Sequence, residues 1–443
     1  MRDIALSILI FGSIPFVLSR PFIGVLIWTW LAYFNPQKMT FGFAMRMPFS
    51  QLIGGATILA WLFNPRESKK LPACWATFIW ITFLLWMVLT TMFAVESEAA
   101  NTQLAKVMKI QVFALLTVIM TNSWERVRAL IWCIVLSIGY FAIKGGFWVL
   151  RTGGATGRVW GPEGTFIEGN NELALATLMT IPLTYFLYST EKVFWRRRAL
   201  LIGIVLTGFS VAGSFSRGAM LAAAAMSLFL VWRSKNRFSV AAAVILIGIG
   251  VLSFMPQSFF ERAQSIQTYK DDGSAMKRLN TWQFAWNFVL DHPILGGGYE
   301  VFLSRDAYVQ YAPRSDVGWI FQDAHSNYLK VLAEHGFPGL TLFLLFFLAA
   351  WRRASKAIAW ANDFELGTDA SGVGVLARML QASIIAYFVG GSFLGLCYFD
   401  LPYNIAGLCI VLSTAALQSQ VLSPAESRRG ALAGVVKPPA LVS

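Results

Sequence analysis

Long apolar runs separated by short polar segments follow one another along this chain from residue 4 to about residue 420. An α-helix needs about 20 apolar residues to cross the hydrocarbon core of a bilayer, and many of these runs approach that length. The runs do not alternate polar and apolar residues, as the strands of a membrane β-barrel do. The pattern therefore predicts an all-α, polytopic membrane protein. The predicted spans are 4–19, 22–35, 50–64, 73–93, 104–121, 127–150, 172–189, 199–214, 217–232, 238–255, 326–351, 376–396 and 402–419.

The predicted spans divide the chain into five regions. Because the first two runs are short and could form one re-entrant unit, we expect about twelve transmembrane helices. The N-terminal run lacks a small-residue cleavage site, which favours a retained span over a signal peptide. The regions are N-terminal transmembrane helices over 1–150, central helices with short loops over 151–255, one large loop with amphipathic helices over 256–325, C-terminal helices over 326–420, and a tail over 421–443.

Composition supports the membrane prediction. Hydrophobic residues make up 56% of the 443 residues, charged residues make up 13%, and the mean hydropathy is +0.59. Soluble proteins carry about 25% charged residues. We interpret the cysteines as packing residues, because they lie in or beside predicted spans without the spacing of a zinc site or disulfide framework. They are Cys74, Cys133, Cys397 and Cys409.

Membrane topology explains the net charge of +13 better than nucleic-acid binding does. Basic residues concentrate after the third, fifth, seventh, ninth, eleventh and thirteenth predicted spans, and the positive-inside rule assigns these segments, including the tail, to the cytoplasm. The loops 151–170 and 256–325 and the turn near Arg217 then lie on the other side. We expect function there, because 256–325 is long enough to fold over the spans. Arg2 and Arg20 leave the N-terminal orientation open.

Arg217 is the one charged residue between Ala199 and Trp232, within the sequence GSFSRGAM. A charge inside an apolar stretch is costly, so it usually faces a cavity or a ligand. The small residues around it would let a phosphate group approach the backbone. The structural alternative is that Arg217 caps a tight turn and reaches lipid phosphate. We favour binding of a phosphate ligand.

The segment SAMKRLNTWQFAWNFVLDHP, residues 274–293, predicts an amphipathic helix that lies on the membrane surface or packs on the spans. Arg278 lies near its start, and a planar guanidinium suits two-point contact with phosphate. We interpret the adjacent Lys277 as the solvated basic start of the helix, with a supporting role as the alternative. The predicted apolar face consists of Leu279, Trp282, Trp286 and Val289.

All three histidines lie in one region, and two of them belong to the stretch HSNYLKVLAEHGFPG, residues 325–339. Asp323 is predicted to cap a helix that begins at the next residue, which places His325 in the first turn, where the helix dipole favours negative charge. Histidine suits proton transfer near neutral pH, so His325 is a candidate general base. His292 and His335 lack this setting, and we interpret both as structural.

The same stretch predicts a broken helix, because Gly336 and Pro338 interrupt it before the apolar run resumes. Broken helices at a membrane edge often line a cavity. Asn327 and Glu334 are seven residues apart and share one helix face, so they are candidate supporting residues.

A further polar segment, TGRVWGPEGTFIEGNNELALA, residues 156–176, lies on the same predicted side. Arg158 is a third candidate for phosphate binding, and Asn171 is a candidate supporting residue. Asn170 or Asn171 could instead cap the following helix. Aromatic residues of these loops could stack on sugars, and a membrane-interface belt explains them equally well. They are Trp160, Trp282, Trp286, Tyr299, Tyr308 and Trp319.

Several motifs are absent from the sequence. It contains no GxxxxGK[ST], no HExxH and no DxD pair. These absences argue against a P-loop ATPase, a zincin protease and a metal-held nucleotide-sugar donor. A lipid-carried donor requires none of them.

Taken together, these segments resemble the O-antigen ligase and polymerase superfamily. HSNYLKVLAEHGFPGL is similar to its HNxxL…E.G..G signature, KRLNTWQFAWNFVLDHPILGGGYEVF to its R…W..A…(H/N)P..G.G stretch, SFSRGA to S.SRG, and FIEGNNELA to N-x-LA. One difference is HSN in place of the HN of many members. The N-terminal third, including WTWLAYFNPQKMTFGFA, resembles a branch of O-glycosylation ligases associated with exosortase systems.

The resemblance implies a metal-independent, inverting glycosyltransferase of the membrane-embedded C class, without a cofactor, in the bacterial inner membrane with a periplasmic active site. The implied donor is an undecaprenyl-diphosphate-linked glycan, and the acceptor is lipid A-core, another glycan or a protein hydroxyl. His325 would be the general base. Arg217, Arg278 and Arg158 would bind the diphosphate.

Three alternatives stay open at this point. A polysaccharide polymerase would use the same donor with another lipid-linked glycan as its acceptor. A transporter of polyprenyl-linked glycans would also need many spans, an intramembrane arginine and a broken helix, but the sequence lacks repeat symmetry and concentrates its polar residues on one side. A non-enzymatic scaffold would tolerate the loss of His325.

Overall fold

The computed structural model describes residues 1–154, 157–234, 236–257, 259–260, 273–313, 322–364 and 368–422, and these residues form helices joined by loops, without a β-strand. The predicted all-α fold is confirmed. Trp319 and nearly all of the predicted tail lie outside the described residues. The helices are Arg2–Ser19 (α1), Pro21–Phe34 (α2), Phe49–Phe63 (α3), Trp75–Met92 (α4), Ser97–Met120 (α5), Trp124–Thr152 (α6), Asn170–Thr190 (α7), Phe194–Gly213 (α8), Arg217–Arg233 (α9), Arg237–Ser253 (α10), Gly273–Asp291 (α11), Arg305–Tyr311 (α12), Asn327–Ala361 (α13), Asp369–Gly391 (α14), Asp400–Leu412 (α15) and Ala415–Val421 (α16).

Seven of the described helices are long and apolar enough to cross a membrane, and α15 with α16 makes an eighth if this bent pair is one span. The seven are α1, α4, α5, α6, α7, α13 and α14. The chain is therefore a polytopic membrane protein, and the count of about twelve spans stays a prediction. The last predicted span, 402–419, is not one straight helix, because the chain bends by 69° between α15 and α16.

Loops from distant parts of the sequence meet at one end of the helix bundle, which we call the loop end. Val95, between α4 and α5, donates its backbone N–H to the carbonyl of Gly297 at 2.9 Å. Val159, between α6 and α7, donates to Gly213 at the end of α8 at 3.1 Å. Asp3 at the start of α1 accepts from the backbone N–H of Gly42 at 3.0 Å. The N-terminus therefore lies at the loop end.

A salt bridge joins loops at the opposite end of the bundle. The guanidinium of Arg126, at the start of α6, contacts both carboxylate oxygens of Glu67 at 2.7 and 2.9 Å. Two-point contact of this kind holds both partners in a defined orientation. It ties the loop after α3 to the loop before α6.

Helix α13 is broken at Gly336, as the sequence predicts, and the loop after α11 fills the break. Gly336 has φ 67° and ψ −174°, a conformation that side chains other than hydrogen disfavour. The backbone N–H groups of Gly297 and Gly298 donate to the carbonyls of Ala333 and Glu334, both at 2.8 Å. The carbonyls that the break leaves without a helical partner are thereby bonded, as buried backbone groups require.

Helix α11 forms as predicted, and its buried side coincides only in part with the predicted apolar face. Phe284, Ala285 and Phe288 are buried against Val301, Phe302 and Tyr308. On the predicted face, Leu279 and Trp286 are 40% and 49% exposed. Val289 of that face is buried, so the predicted apolar face is divided between packed and exposed residues, because apolar residues occupy most of this helix's circumference.

Candidate active site

A tight turn between α8 and α9 presents Arg217. Phe215 has φ 56°, a left-handed conformation that is rare for a bulky residue. Ser216 is the N-cap of α9, and its hydroxyl accepts the backbone N–H of Ala219 at 3.3 Å. Ser214 is fixed from outside the turn, because its carbonyl accepts from the side-chain amide of Asn170 at 2.7 Å. Arg217 is therefore the first residue of a well-anchored helix.

Three arginines from separate parts of the chain meet at a small cavity at the loop end. The cavity has a volume of about 90 Å³. Arg217 comes from the start of α9, Arg278 from α11 and Arg158 from the loop before α7. The structure thus brings together the three residues that the sequence suggests for phosphate binding. The remaining lining residues are Asn171, Phe215, Ser216, Gly218, Phe393 and Leu394.

Lys277 and Asn170 do not line this cavity. Lys277 is exposed at the start of α11. Asn170 is buried and bonds to the turn before α9, whereas Gly169 is the N-cap of α7. The expectation that Asn170 or Asn171 caps this helix was wrong, because the Asn170 amide donates to a carbonyl 44 residues away.

His325 lies just before α13, outside the helix. The helix begins at Asn327 with Ser326 as its N-cap, so the prediction of a helix start at residue 324 was wrong. Asp323 does not cap that helix, because one of its carboxylate oxygens accepts from the backbone N–H of Ala324 at 2.8 Å and from the Lys330 ammonium at 2.9 Å. His325 has φ 45°, and strained conformations of this kind cluster at functional sites.

The His325 ring lies beside the arginine cavity. Trp282, one helical turn after Arg278, donates its indole N–H to the carbonyl of Ala324 at 2.8 Å. The His325 Nδ1 is 3.9 Å from a carboxylate oxygen of Glu172, the neighbour of the cavity residue Asn171. About a third of the His325 side chain (35%) is exposed, so the ring remains accessible to a second molecule.

The surroundings keep His325 neutral near pH 7. Burial and the positive charge of Arg278 lower the pKa of His325, and the carboxylates of Asp323 and Glu172 raise it only in part. Burial raises the pKa of Asp323, but Lys330 and His325 outweigh this effect, so the Asp323 pKa lies below its usual value. A neutral imidazole next to an ionised carboxylate can accept a proton.

Sequence reasoning missed Glu172 as a functional residue. It belongs to the FIEGNNELA motif, which drew attention to the asparagines, and its partner His325 lies 153 positions further along the chain. Only the folded arrangement brings the two together.

Asn327, Glu334 and His335 belong to a buried network and do not line the cavity. The Asn327 side-chain oxygen accepts from the backbone N–H of Leu396 at 2.7 Å. Glu334 accepts from the hydroxyl of Tyr398 at 2.5 Å, and that hydroxyl lies 2.9 Å from a ring nitrogen of His335. These contacts tie the first turns of α13 to the link after α14.

The aromatic residues suggested for sugar stacking differ in their exposure. Trp282 is half-buried, and its indole N–H is bonded to Ala324. Trp160 and Trp286 are 59% and 49% exposed, so their rings are accessible to a ligand. Tyr299 and Tyr308 are buried, so stacking of a sugar on these two was a wrong expectation. Both tyrosines instead pack against aromatic neighbours of the fold.

No group of three or more His, Cys, Asp or Glu side chains within the described residues could hold a metal ion. The arrangement offers positive charge for an anion, a neutral histidine for a proton, and a carboxylate beside that histidine. It can therefore stabilise an anionic leaving group and activate a hydroxyl.

Two family models match parts of this chain. Residues 202–344 match the O-antigen ligase family. Residues 1–192 match a family of unknown function. No curated protein matches the chain. The first match covers α9, α11, the link with His325 and the first half of α13, so it includes Arg217, Arg278 and His325. Residues 202–344 therefore form an O-antigen ligase domain, which supports the resemblance to the O-antigen ligase and polymerase superfamily that the sequence motifs indicate.

Proposed function

We propose that this protein transfers a glycan from an undecaprenyl-diphosphate donor to a hydroxyl acceptor, as a metal-independent, inverting glycosyltransferase. The observation that carries the proposal is the convergence of Arg158, Arg217 and Arg278 on one cavity beside His325. The O-antigen ligase match supports the class of reaction.

The arginines would hold the donor diphosphate. As the bond between the sugar and the diphosphate breaks, negative charge grows on the leaving phosphate oxygen. Guanidinium groups that are already in place stabilise this charge without reorganisation, and each can bond two oxygens at once. The first backbone N–H groups of α9, which point toward Arg217's end of the helix, add to the positive potential.

His325 would take the proton from the acceptor hydroxyl as that oxygen attacks the anomeric carbon. Attack from the side opposite the diphosphate forms the new glycosidic bond with inversion. General base catalysis of this kind contributes roughly a hundred- to ten-thousandfold in rate. Glu172 would act as a positioning residue, because a carboxylate near Nδ1 orients the ring and leaves the other nitrogen for the acceptor.

The membrane setting follows from the donor. Its polyprenyl tail would lie between the apolar helices, with the diphosphate at the loop end. By the positive-inside rule, the basic opposite end faces the cytoplasm and the loop end faces the periplasm of a bacterial inner membrane. The acceptor would be lipid A-core, another glycan or a protein hydroxyl. An exosortase-associated role in protein O-glycosylation remains part of the proposal, as does polymerisation with a lipid-linked glycan as the acceptor.

Binding of undecaprenyl diphosphate to the purified protein in lipid nanodiscs tests the donor site. We expect Arg217→Ala and Arg278→Ala each to weaken binding by about tenfold or more, since each removes a charge-assisted contact. Arg305→Ala is the matched control, because Arg305 is an exposed arginine at the loop end that does not line the cavity. Unchanged binding by Arg217→Ala would refute this assignment of the donor site.

A further inference from the structure

Two lysines lie within the membrane-spanning helix α5 on its exposed side. Lys106 and Lys109 are exposed, and they are about 14 Å and 18 Å along the helix from its start at Ser97. Charged side chains inside membrane helices are costly and usually mark a functional site. Side chains tilt toward the helix N-terminus, so both ammonium groups extend toward the loop end, where α5 begins.

A third lysine meets them at the loop before α7. The Lys106 ammonium lies 4.1 Å from the centre of the Phe166 ring. A β-carbon at Gly164 would lie 2.8 Å from the Lys38 ammonium, so Lys38 packs directly against that glycine. Gly164 and Phe166 are two residues apart, and Lys109 lies one helical turn from Lys106. Two ammonium groups therefore contact this turn, and Lys109 lies one helical turn along α5 from one of them.

The turn itself is held in place. Gly164 donates its backbone N–H to the carboxylate of Glu168 at 2.7 Å, and the Phe166 ring contacts Phe399 at 6.0 Å between centres. Within the part of the chain that the structure describes, Lys38, Lys106 and Lys109 form no salt bridge. Glu300 and Asp400 act on Lys106 only at longer range, so the three ammonium groups are available to another anion at this turn.

This lysine group is separate from the arginine cavity. Lys106 is within electrostatic range of Lys330. The Lys330 ammonium in turn contacts Asp323 at 2.9 Å, two residues before His325. None of the three lysines lines the arginine cavity. The lysine group is therefore a cationic site distinct from the arginine cavity.

We propose that Lys38, Lys106 and Lys109 form a second anion site, which binds the phosphate-bearing headgroup of a glycolipid. Its phosphate would contact the ammonium groups, while its acyl chains lie along the exposed side of α5. The further statement that this glycolipid is the acceptor rests on the proposed function, whereas the anion site does not.

Lipid binding measured by native mass spectrometry on detergent-purified protein tests this site. The probes are bis-phosphorylated lipid A, its dephosphorylated form, undecaprenyl diphosphate, and inorganic phosphate as a soluble competitor. We expect wild type to prefer phosphorylated over dephosphorylated lipid A, and the double variant Lys106→Ala with Lys109→Ala to lose about tenfold or more of that affinity. Undecaprenyl diphosphate binding should remain unchanged, and Lys106→Arg with Lys109→Arg should retain both.

Lys356→Ala is the control, because Lys356 is an exposed lysine near the opposite end of α13. Equal binding of the two forms of lipid A by wild type would overturn the proposal. A double alanine variant that binds phosphorylated lipid A as wild type does would also overturn it. So would a double alanine variant that loses affinity for undecaprenyl diphosphate as much as for lipid A, since the lysines would then bind the donor. Displacement by millimolar inorganic phosphate alone would assign the site to free phosphate rather than to a lipid. Failure of Arg217→Ala to affect undecaprenyl diphosphate would count against the donor site only.

Discussion

At the scale of single residues, the basicity of His325 reflects a balance between opposite charges. Burial and Arg278 lower its pKa, and Glu172 and Asp323 raise it. His325 is therefore neutral at pH 7 and becomes protonated only at a pH below its usual pKa of about 6.5. Activity should rise with pH through this depressed pKa and then level off toward neutral pH.

Glu172→Gln tests the carboxylate at 3.9 Å from His325. The change removes a negative charge that raises the His325 pKa, so the acidic limb of the kcat/KM profile should move to lower pH. The rate on the plateau should fall roughly ten- to a hundredfold, because the ring loses its orienting partner and becomes a weaker base. Glu163→Gln, an exposed glutamate of the loop before α7, is the control and should leave the profile in place. An unmoved acidic limb in Glu172→Gln would show that the carboxylate does not act on His325.

At the scale of elements, the break in α13 fixes the position of Arg278 relative to His325. The loop after α11 carries Gly297 and Gly298 into the break, and α11 itself carries Arg278. The link immediately before α13 carries His325. The relative position of the arginine and the histidine therefore depends on how this loop and this break fit.

Gly336→Ala tests that fit. A β-carbon at Gly336 would lie 2.2 Å from the carbonyl oxygen of Ile294, and φ is 67°. We expect the variant to lose about 2 kcal/mol or more of stability, seen as a lower midpoint of thermal unfolding in detergent, together with reduced activity. Gly55→Ala is the matched control, because no atom lies within 4 Å of its added β-carbon, and it should unfold at or above the wild-type temperature. Equal unfolding midpoints for the two variants would show that stability does not depend on the fit between the break at Gly336 and the loop after α11.

Elements differ in how far the sequence predicts them. The helices were predictable because long apolar runs and glycine breaks are local signals, and the break at Gly336 is one of them. The side of α11 that packs was predictable only in part, since Val289 of the predicted face is buried while Trp286 is exposed and Phe284, on another face, is buried. The sequence also does not predict contacts across long separations, such as that of Glu172 with His325, because no local pattern encodes them.

At the scale of the whole molecule, the described candidate residues gather at the loop end. The arginine cavity and His325 lie among the loops of that end, and Lys106 and Lys109 lie near the middle of α5, which begins there, whereas a salt bridge between Arg126 and Glu67 joins the loops of the opposite end. A transporter needs polar groups accessible from both ends of the bundle. A one-ended arrangement fits transfer between two lipids that reach the same membrane surface.

Glycan transfer in membranes tests whether His325 is the general base and whether Arg217 binds the donor diphosphate. Wild type, His325→Ala, Arg217→Ala and His292→Ala would be compared at equal protein levels, with the undecaprenyl-diphosphate glycan as donor and lipid or protein acceptors. His292 is the control, because it is an exposed histidine at the loop end that packs on Phe288, away from Glu172. We expect His292→Ala to transfer as wild type does, while His325→Ala loses roughly a hundred- to ten-thousandfold in rate and Arg217→Ala is similarly impaired. Transfer by a folded His325→Ala variant at the wild-type rate would contradict the role of His325 as general base.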